Sequence, residues 1–310
     1  MNIFIARSLY GEFSASEKKY LSKILKGHQL FIEGSKKTLN KKILDSCEVV
    51  FGNISPDSLK VAPMLKWVQL ESAGFAEYQS CIQSNKFLQI SNLKNFFSDQ
   101  VAQTTIASIL AFYRKIPTLS ILQEKRKWVG DPLRKQLQTL TNKKILFIGS
   151  GFINKRIKKL LLGFDCIYQF TNSQTPIGKL KKFIKESEIV ICCTPGTQQT
   201  NNLLNKDLLN QLNRNCLLVN IGRGNVIDEK YLIQILHKKK ILGAILDVTN
   251  QEPIPSNHPL WSMDNVLLTQ HTAGGSHDEL LKKIDFFKTN LERYLKNKKP
   301  LNLVNFIKGY

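Results

Sequence analysis

Acidic residues are scarce in this chain: 24 Asp and Glu face 45 Lys and Arg across 310 residues, a formal net charge of +21. Long apolar runs are absent as well. None approaches the ~20 residues that a membrane helix needs, so no helical membrane span is expected. The six cysteines (Cys47, Cys81, Cys166, Cys192, Cys193 and Cys216) form no CxxC pair. Neither a zinc ribbon nor a redox dithiol is therefore encoded, and no metal site is expected. Four of the six lie in apolar, strand-like runs, where a reduced thiol behaves as a small hydrophobe; a cytoplasmic location is expected from this usage. Repeats and low-complexity segments are also missing. The short apolar run Met1–Ala6 lacks a basic leader and a cleavage site, and reads as a first strand.

The positive charge invites a nucleic-acid reading, which its distribution argues against. The lysines come as scattered pairs, such as Lys18-Lys19, Lys143-Lys144 and Lys282-Lys283, with one longer run at Lys238–Lys240 placed where a helix ends. Positive charge suits a helix carboxyl terminus, and no aromatic-interleaved basic stretch accompanies it. Solvated lysine faces are the expectation and a nucleic-acid partner is not. An anionic substrate and cofactor gain from the positive field in either case.

What is present is a chain with 42% hydrophobic and 9% aromatic residues, enough for sizeable cores and, at this length, for two domains. Short β-rich runs alternate with helical stretches, the pattern of parallel sheets with crossover helices. Strands are expected at Asn2–Ala6, Val49–Gly52, Trp67–Leu70, Phe87–Ile90, Lys143–Gly149, Ile167–Phe170, Ile189–Cys193, Leu217–Asn220, Ala244–Val248 and Val266–Thr269. A long helix is expected over 98–113, with Ser98 or Asp99 capping its start and Pro117 closing it. Basic, poorly patterned sequence follows, and a last helix is expected from about His277 to Lys296.

The segment Ile148-Gly149-Ser150-Gly151-Phe152-Ile153-Asn154 follows a strand and opens a helix. There, a glycine turn lets a pyrophosphate approach backbone N–H groups at a helix N-terminus. Gly149 suits the tight turn and Gly151 the close approach; Asn154 stands where a third glycine packs helix on strand. Two glycines alone also fit a plain strand-to-helix turn. The second strand of this unit ends in Phe170-Thr171-Asn172-Ser173. Asn172 occupies the place of the acid that binds a ribose 2′-hydroxyl, so a 2′-phosphate is not repelled and NADP is favoured over NAD.

Three later strand ends carry polar groups. Arg223 sits in the glycine-flanked turn Gly222-Arg223-Gly224 after an apolar run, where its planar fork suits a carboxylate. Glu252 follows the run that ends in Asp247, and His271 ends the run from Val266. A lone strand-end histidine is more often structural. An arginine, a glutamate and a histidine at successive strand ends of one sheet mark the edge where such sheets bind ligands.

With these motifs in view, the chain resembles the D-isomer-specific 2-hydroxyacid dehydrogenase family almost end to end. The resemblance rests on Leu65–Gly74, Thr194–Asn205 and the segments around Arg223, Asp247–Glu252 and His271. It implies two Rossmann-like, doubly wound α/β domains with parallel sheets and an active-site cleft between them. The substrate domain is expected at 1–98 plus 276–310 and the dinucleotide domain at 99–275, with a homodimer built on the latter. It also implies that Arg223 binds the substrate carboxylate, that His271 is the acid/base and that Glu252 orients it. Ser72, Ala73 and Gly74 offer backbone groups to the substrate. Cofactor contacts are expected from Gly149, Gly151, Phe152, Ile153, Asn172, Thr194, Pro195, Ile221, Gly222, Arg223, Asp247, His271 and Gly274.

The chain departs from the family pattern at Asn154 (for glycine), Asn172 (for the acid), Gln103 (for glutamate) and Gln270 (for the proline before the histidine). The first two bear on cofactor affinity and identity, and Gln270 on the placement of the His271 loop. Glu252, where formate-type relatives carry glutamine, argues against formate. The expected activity is an NAD(P)-dependent reduction of a small 2-oxo acid to the D-2-hydroxy acid. Glyoxylate or hydroxypyruvate comes first because the chain lacks the extra regulatory domain of many phosphoglycerate dehydrogenases. Phosphoglycerate and D-lactate-type dehydrogenases are the alternatives within the family. A corepressor-like, dinucleotide-sensing protein is the alternative of another class.

Overall fold

Uninterrupted apolar runs explain both sheets, because a parallel strand covered by helices is buried on its two faces. The structure, a computed structural model, describes residues 1–32 and 41–306. The chain divides into two compact units, Met1–Phe96 with Ser276–Tyr310, and Phe97–Gly275.

The first unit holds five parallel strands: β1 (Asn2–Ile5), β2 (Gln29–Ile32), β3 (Val49–Phe51), β4 (Trp67–Gln69) and β5 (Gln89–Ser91). Their order is β2-β1-β3-β4-β5. Side chains alternate between the faces as a period of two demands. Phe4, Val50, Val68 and Ile90 enter one core, with Leu44 and Leu59; Ile3, Ile5, Val49, Phe51 and Trp67 enter the other. The helix Glu279–Leu295 closes the second face with Ile284, Phe287 and Leu291. Its Phe287 stacks on Phe51 at 4.2 Å between centroids and on Trp67 at 5.6 Å.

The second unit carries β6 (Lys144–Ile148), β7 (Ile167–Thr171), β8 (Ile189–Cys192), β9 (Leu217–Asn220), β10 (Gly243–Leu246) and β11 (Val266–Leu268), ordered β11-β10-β9-β8-β6-β7 and all parallel. Leu146, Val190, Leu218 and Ala244 pack against the helices Ile177–Glu186 and Glu229–His237. Ile145, Phe147, Ile191 and Val219 pack against Ser98–Tyr113 and Phe152–Leu160. The strand order reverses between β6 and β8. By the general rule for open α/β sheets, the carboxyl ends of those two strands form the ligand crevice.

Several local expectations are corrected. β2 is an additional strand at the sheet edge, and β5 begins at Gln89 because Phe87 is 90% exposed and turns on Asn85. Phe97 is the N-cap residue of Ser98–Tyr113, with no side-chain cap, so neither Ser98 nor Asp99 caps that helix. Pro117 does not close it: Lys115, at φ 55°, separates it from a second helix, Ile116–Glu124, and Pro117 lies in the first turn of that helix. There the missing proline N–H costs nothing. The poorly patterned basic stretch therefore contains that helix and the short turn Asp131–Arg134.

No helix among the described residues is long and apolar enough to cross a membrane.

Candidate active site

The glycine turn after β6 lies at the strand-order reversal. Gly149 takes φ +101°, and a Cβ there would stand 2.6 Å from the Cys193 carbonyl oxygen after β8. Only glycine fits that combination of positive φ and close approach. Gly151 is the N-cap of Phe152–Leu160, makes no side-chain cap, and has open space where a Cβ would be. The helix N-terminus thus has no side-chain cap and no side chain at Gly151 over it, which fits a dinucleotide pyrophosphate. Phe152 is exposed and Ile153 half-buried at its first turn.

Asn154, in the third glycine's place, is fully buried and braces the turn. Its Nδ2 donates to the Gly149 carbonyl at 2.7 Å and to that of Ile148 at 3.3 Å. The departure from glycine thus replaces close packing with hydrogen bonds. Asn172 follows β7 beside this turn, where the Gly149 N–H donates to the Thr171 carbonyl. Its Oδ1 accepts from the Gln174 N–H at 3.0 Å, an Asx turn that leaves the side chain exposed.

After β9, Asn220 shapes the arginine turn. It is 1% exposed; its Oδ1 accepts the Gly222 N–H at 3.1 Å and its Nδ2 donates to the Arg223 carbonyl at 3.0 Å. Arg223 itself is exposed, with Nη1 donating to the Gly222 carbonyl at 2.7 Å. A Cβ on Gly224 would collide with the Thr249 carbonyl, so this turn presses on the loop after β10. Thr194 and Pro195 lie in the loop after β8, which reaches both Gly149 and Gly222. Ile221 is buried. Burial pushes the Cys192 thiol up to about 11 and the Cys193 thiol up to about 12, the Arg223 charge acting on Cys193 in the opposite direction. Neither is a nucleophile near neutral pH.

The loops after β10 and β11 meet through hydrogen bonds. Glu252 Oε1 accepts the Thr249 N–H at 3.0 Å, and its Oε2 lies 2.6 Å from His271 Nδ1. Asp247 holds the histidine loop: its carbonyl accepts the His271 N–H at 2.6 Å, and its Oδ1 accepts Thr269 Oγ1 at 2.7 Å and the N–H groups of Thr272 and Ala273 at 3.1 and 3.2 Å. Gln270 and His271 both adopt left-handed backbone, φ 54° and 56°. Such residues cost of order 1–3 kcal/mol each. The bonds to the Asp247 carboxylate contribute ~1.5–3 kcal/mol apiece and outweigh that cost. A proline, fixed near φ −65°, fits no such conformation. Gln270 in place of proline therefore goes with a histidine loop of different backbone. Gly274 packs against the Phe97 ring, 3.2 Å from where its Cβ would be.

Two groups at this edge carried no signal in the linear pattern. Asn220 is one; the only hint is an amide before glycine at a strand end. Glu229 is the other: its Oε2 accepts the Asn250 N–H at 2.9 Å and its Oε1 lies 3.5 Å from His258 Nε2, bracing the loop that carries Glu252.

In the first unit, Ser72, Ala73 and Gly74 follow β4. The carbonyls of Ser72, Ala73 and Gly74 accept from the Leu93 N–H, Asn92 Nδ2 and Ser72 Oγ at 2.9, 2.7 and 2.8 Å. Among the described residues none accepts a bond from the backbone N–H groups of 72–74, so the loop presents donors. Among the described residues no group of three His, Cys, Asp or Glu is placed to hold a metal ion.

Comparison with known proteins agrees with this geometry. The profile of the D-isomer specific 2-hydroxyacid dehydrogenase NAD-binding domain matches residues 106–273. A glyoxylate reductase of Thermofilum pendens is 29% identical over 266 residues, covering 81% of this chain and 78% of the relative. A glyoxylate/hydroxypyruvate reductase A of Yersinia enterocolitica is 28% identical over 225 residues, covering 68% and 69%. Among solved structures, a D-isomer specific 2-hydroxyacid dehydrogenase of Xanthobacter autotrophicus in complex with NADPH and MES shares the fold at TM-score 0.77 and 23% identity, over 100% of this chain and 99% of that one. A 2-hydroxyacid dehydrogenase of Ketogulonicigenium vulgare does so at 0.83 and 18%, over 98% of each chain. With a glycine turn at the strand-order reversal and Arg, Glu and His at the strand ends, the chain belongs to the D-isomer specific 2-hydroxyacid dehydrogenase family and is an oxidoreductase that uses a nicotinamide dinucleotide.

Proposed function

We propose that this enzyme reduces glyoxylate or hydroxypyruvate to the corresponding 2-hydroxy acid. The observation that carries the reading is the 2.6 Å contact between His271 Nδ1 and Glu252 Oε2 beside the Arg223 turn. Arg223 grips the substrate carboxylate with its planar fork, and in the first unit the N–H groups of Ser72, Ala73 and Gly74 are donors for an anionic ligand. When bound, the reduced dinucleotide supplies the hydride. As the carbonyl carbon becomes tetrahedral, its π electrons move to oxygen. With Nδ1 engaged by Glu252, His271 presents Nε2, which gives that oxygen its proton. Glu252 fixes the tautomer and the ring plane, and Asp247 fixes the backbone below the ring.

Glyoxylate reductases of Thermofilum pendens and Korarchaeum cryptofilum, 29% and 25% identical, support the choice of substrate. Asn172 supports a preference for NADPH, because no carboxylate stands there to repel a 2′-phosphate. The reading includes a homodimer in the cytosol. The helix Ile116–Glu124 has no buried residue and exposes Ile116, Leu119 and Ile121, and Trp128 is 95% exposed, an apolar surface of the kind that marks an interface. Five of the six cysteines are buried as free thiols, as a reducing compartment allows.

Initial rates with glyoxylate, hydroxypyruvate, pyruvate and 3-phosphohydroxypyruvate, each with NADH and NADPH, test the reading. The highest kcat/KM is expected for one of the first two. A highest value for pyruvate or the phosphorylated acid assigns a D-lactate or phosphoglycerate dehydrogenase instead. Tight dinucleotide binding with no reduction of any acid favours a sensing role.

A further inference from the structure

A lysine is buried behind the Ser72–Gly74 loop of the first unit. Lys283, on the helix Glu279–Leu295, is 7% exposed, and a buried ammonium needs partners to stay charged. It has two. Its Nζ lies 2.8 Å from Glu279 Oε1, one turn back on its own helix, and 3.7 Å from Glu71 Oε2, the residue before Ser72. Glu71 is tied again on its other side. Its N–H donates to Asn53 Oδ1 at 3.2 Å, while its Oε1 accepts the Asn53 N–H at 3.4 Å. Burial holds the Glu71 carboxyl above its usual range, while the Lys283 charge first, and the Asn53 N–H and Ser8 hydroxyl after it, pull it back down, so the lysine is the largest of the influences that favour a carboxylate in this place.

The far side of the loop is fixed differently. Asn92 donates to the Ala73 carbonyl at 2.7 Å and accepts the Lys94 N–H at 3.2 Å, and the Leu93 N–H holds the Ser72 carbonyl. Between these anchors the N–H groups of 72–74 have no partner among the described residues. Their aim therefore depends on the two ends of the loop, and at the leading end a buried charge pair sets it.

We propose that Glu71 and Lys283 are a positioning pair, which holds the Ser72–Gly74 N–H groups in the orientation that receives the substrate's carboxylate. The proposal rests on the 2-oxo acid reading above. Neither residue touches the reacting atoms, so the pair acts on substrate binding and leaves hydride and proton transfer alone. Asn53 passes the constraint on to the loop after β3 through its reciprocal bonds with Glu71.

The test uses the full chain and the best 2-oxo acid, with KM and kcat measured separately and dinucleotide affinity as a control. Lys283→Met leaves the Glu71 and Glu279 carboxylates buried without a counter-charge. KM is expected to rise ~10-fold or more, with kcat within ~3-fold of wild type and dinucleotide affinity unchanged, the pattern of lost binding without lost chemistry. Glu71→Gln keeps the shape and the acceptor for the Asn53 N–H, and is expected to raise KM only ~3-fold. In the double variant the uncompensated carboxylate next to the loop is gone. Its KM should return to that of Glu71→Gln, a coupling that unspecific loosening of the fold does not produce. An unchanged KM in Lys283→Met, or a double variant as impaired as Lys283→Met, overturns the proposal. If Lys283→Met does not fold, Glu71→Gln decides: a KM equal to wild type overturns the proposal and the ~3-fold rise supports it. A wild-type protein that reduces no 2-oxo acid overturns the functional reading and this inference together; an active wild type indifferent to these substitutions overturns this inference alone.

Discussion

The two sheets of this molecule share one winding and differ in what they carry at their carboxyl ends. Each has its two earliest strands transposed, β2-β1-β3 in the first unit and β7-β6-β8 in the second, and each is covered by helices on both faces. At the edge of the second sheet the polar groups stand open. His271 and Glu252 are exposed, Arg223 is exposed, and a helix N-terminus is left without a cap. At the edge of the first sheet Lys283 is buried between two glutamates, and the carbonyls of 72–74 are all engaged. On the proposed reading the same topology serves two tasks, chemistry where side chains are exposed and presentation of backbone donors where they are not. Function follows the contents of the loops and not the winding of the sheet.

The comparison breaks most visibly if stability and activity prove inseparable. Phe287→Ala removes a fully buried ring stacked on Phe51 and Trp67. It is expected to cost about 3–5 kcal/mol of unfolding free energy, seen in denaturant titration, while the folded fraction keeps its kcat. A kcat that collapses in proportion to the lost stability contradicts the division of tasks. Arg223→Lys inverts the result. It keeps the charge and loses the fork, and kcat/KM should fall ~100-fold or more with the denaturation midpoint unmoved. A lysine variant near wild type removes Arg223 from the carboxylate-binding role.

Smaller effects sharpen the account of the second edge. If Asn172 stands beside the cofactor's ribose as proposed, Asn172→Asp places a negative charge there, and the NADPH-to-NADH ratio of kcat/KM should fall ~5-fold or more. A wild type that strongly prefers NADH defeats that assignment before any substitution is made. The smallest effect is an expected indifference. With burial holding the Cys193 thiol up to about 12, only roughly one thiol in ten thousand is thiolate at pH 8. Brief treatment with iodoacetamide at that pH should leave activity intact, and rapid inactivation traced to Cys193 is the contrary result.

Much of this was legible in the sequence where burial is symmetric. Runs such as Ile145–Ile148 and Leu217–Val219 are buried on both faces, so an unbroken apolar word marks the strand. β2 escaped although Leu30–Ile32 is an apolar run, because the strand spans only Gln29–Ile32, pairs with β1 alone at the sheet edge and stays half-exposed. Ile116–Glu124 escaped because its apolar side chains point to solvent, and no buried face imposes a helical period. In the site, Arg223 and His271 stood out as polar residues close after apolar strands, and Glu252 in the loop that follows β10. Asn220, Glu229 and Lys283 did not. Their roles are set by partners across the chain, such as the contact of Lys283 with Glu71, and no local spacing encodes those.

The proton-donor role of His271 is the claim on which the rest depends, and turnover of His271→Ala tests it most directly. The variant removes the imidazole held 2.6 Å from Glu252 and leaves the glycine turn after β6, the proposed dinucleotide site, untouched. We expect kcat for reduction of the best 2-oxo acid to fall roughly 10²–10⁴-fold, the usual contribution of a positioned acid, with dinucleotide affinity unchanged and partial recovery on adding free imidazole. A His271→Ala enzyme that turns over at near the wild-type rate contradicts the account.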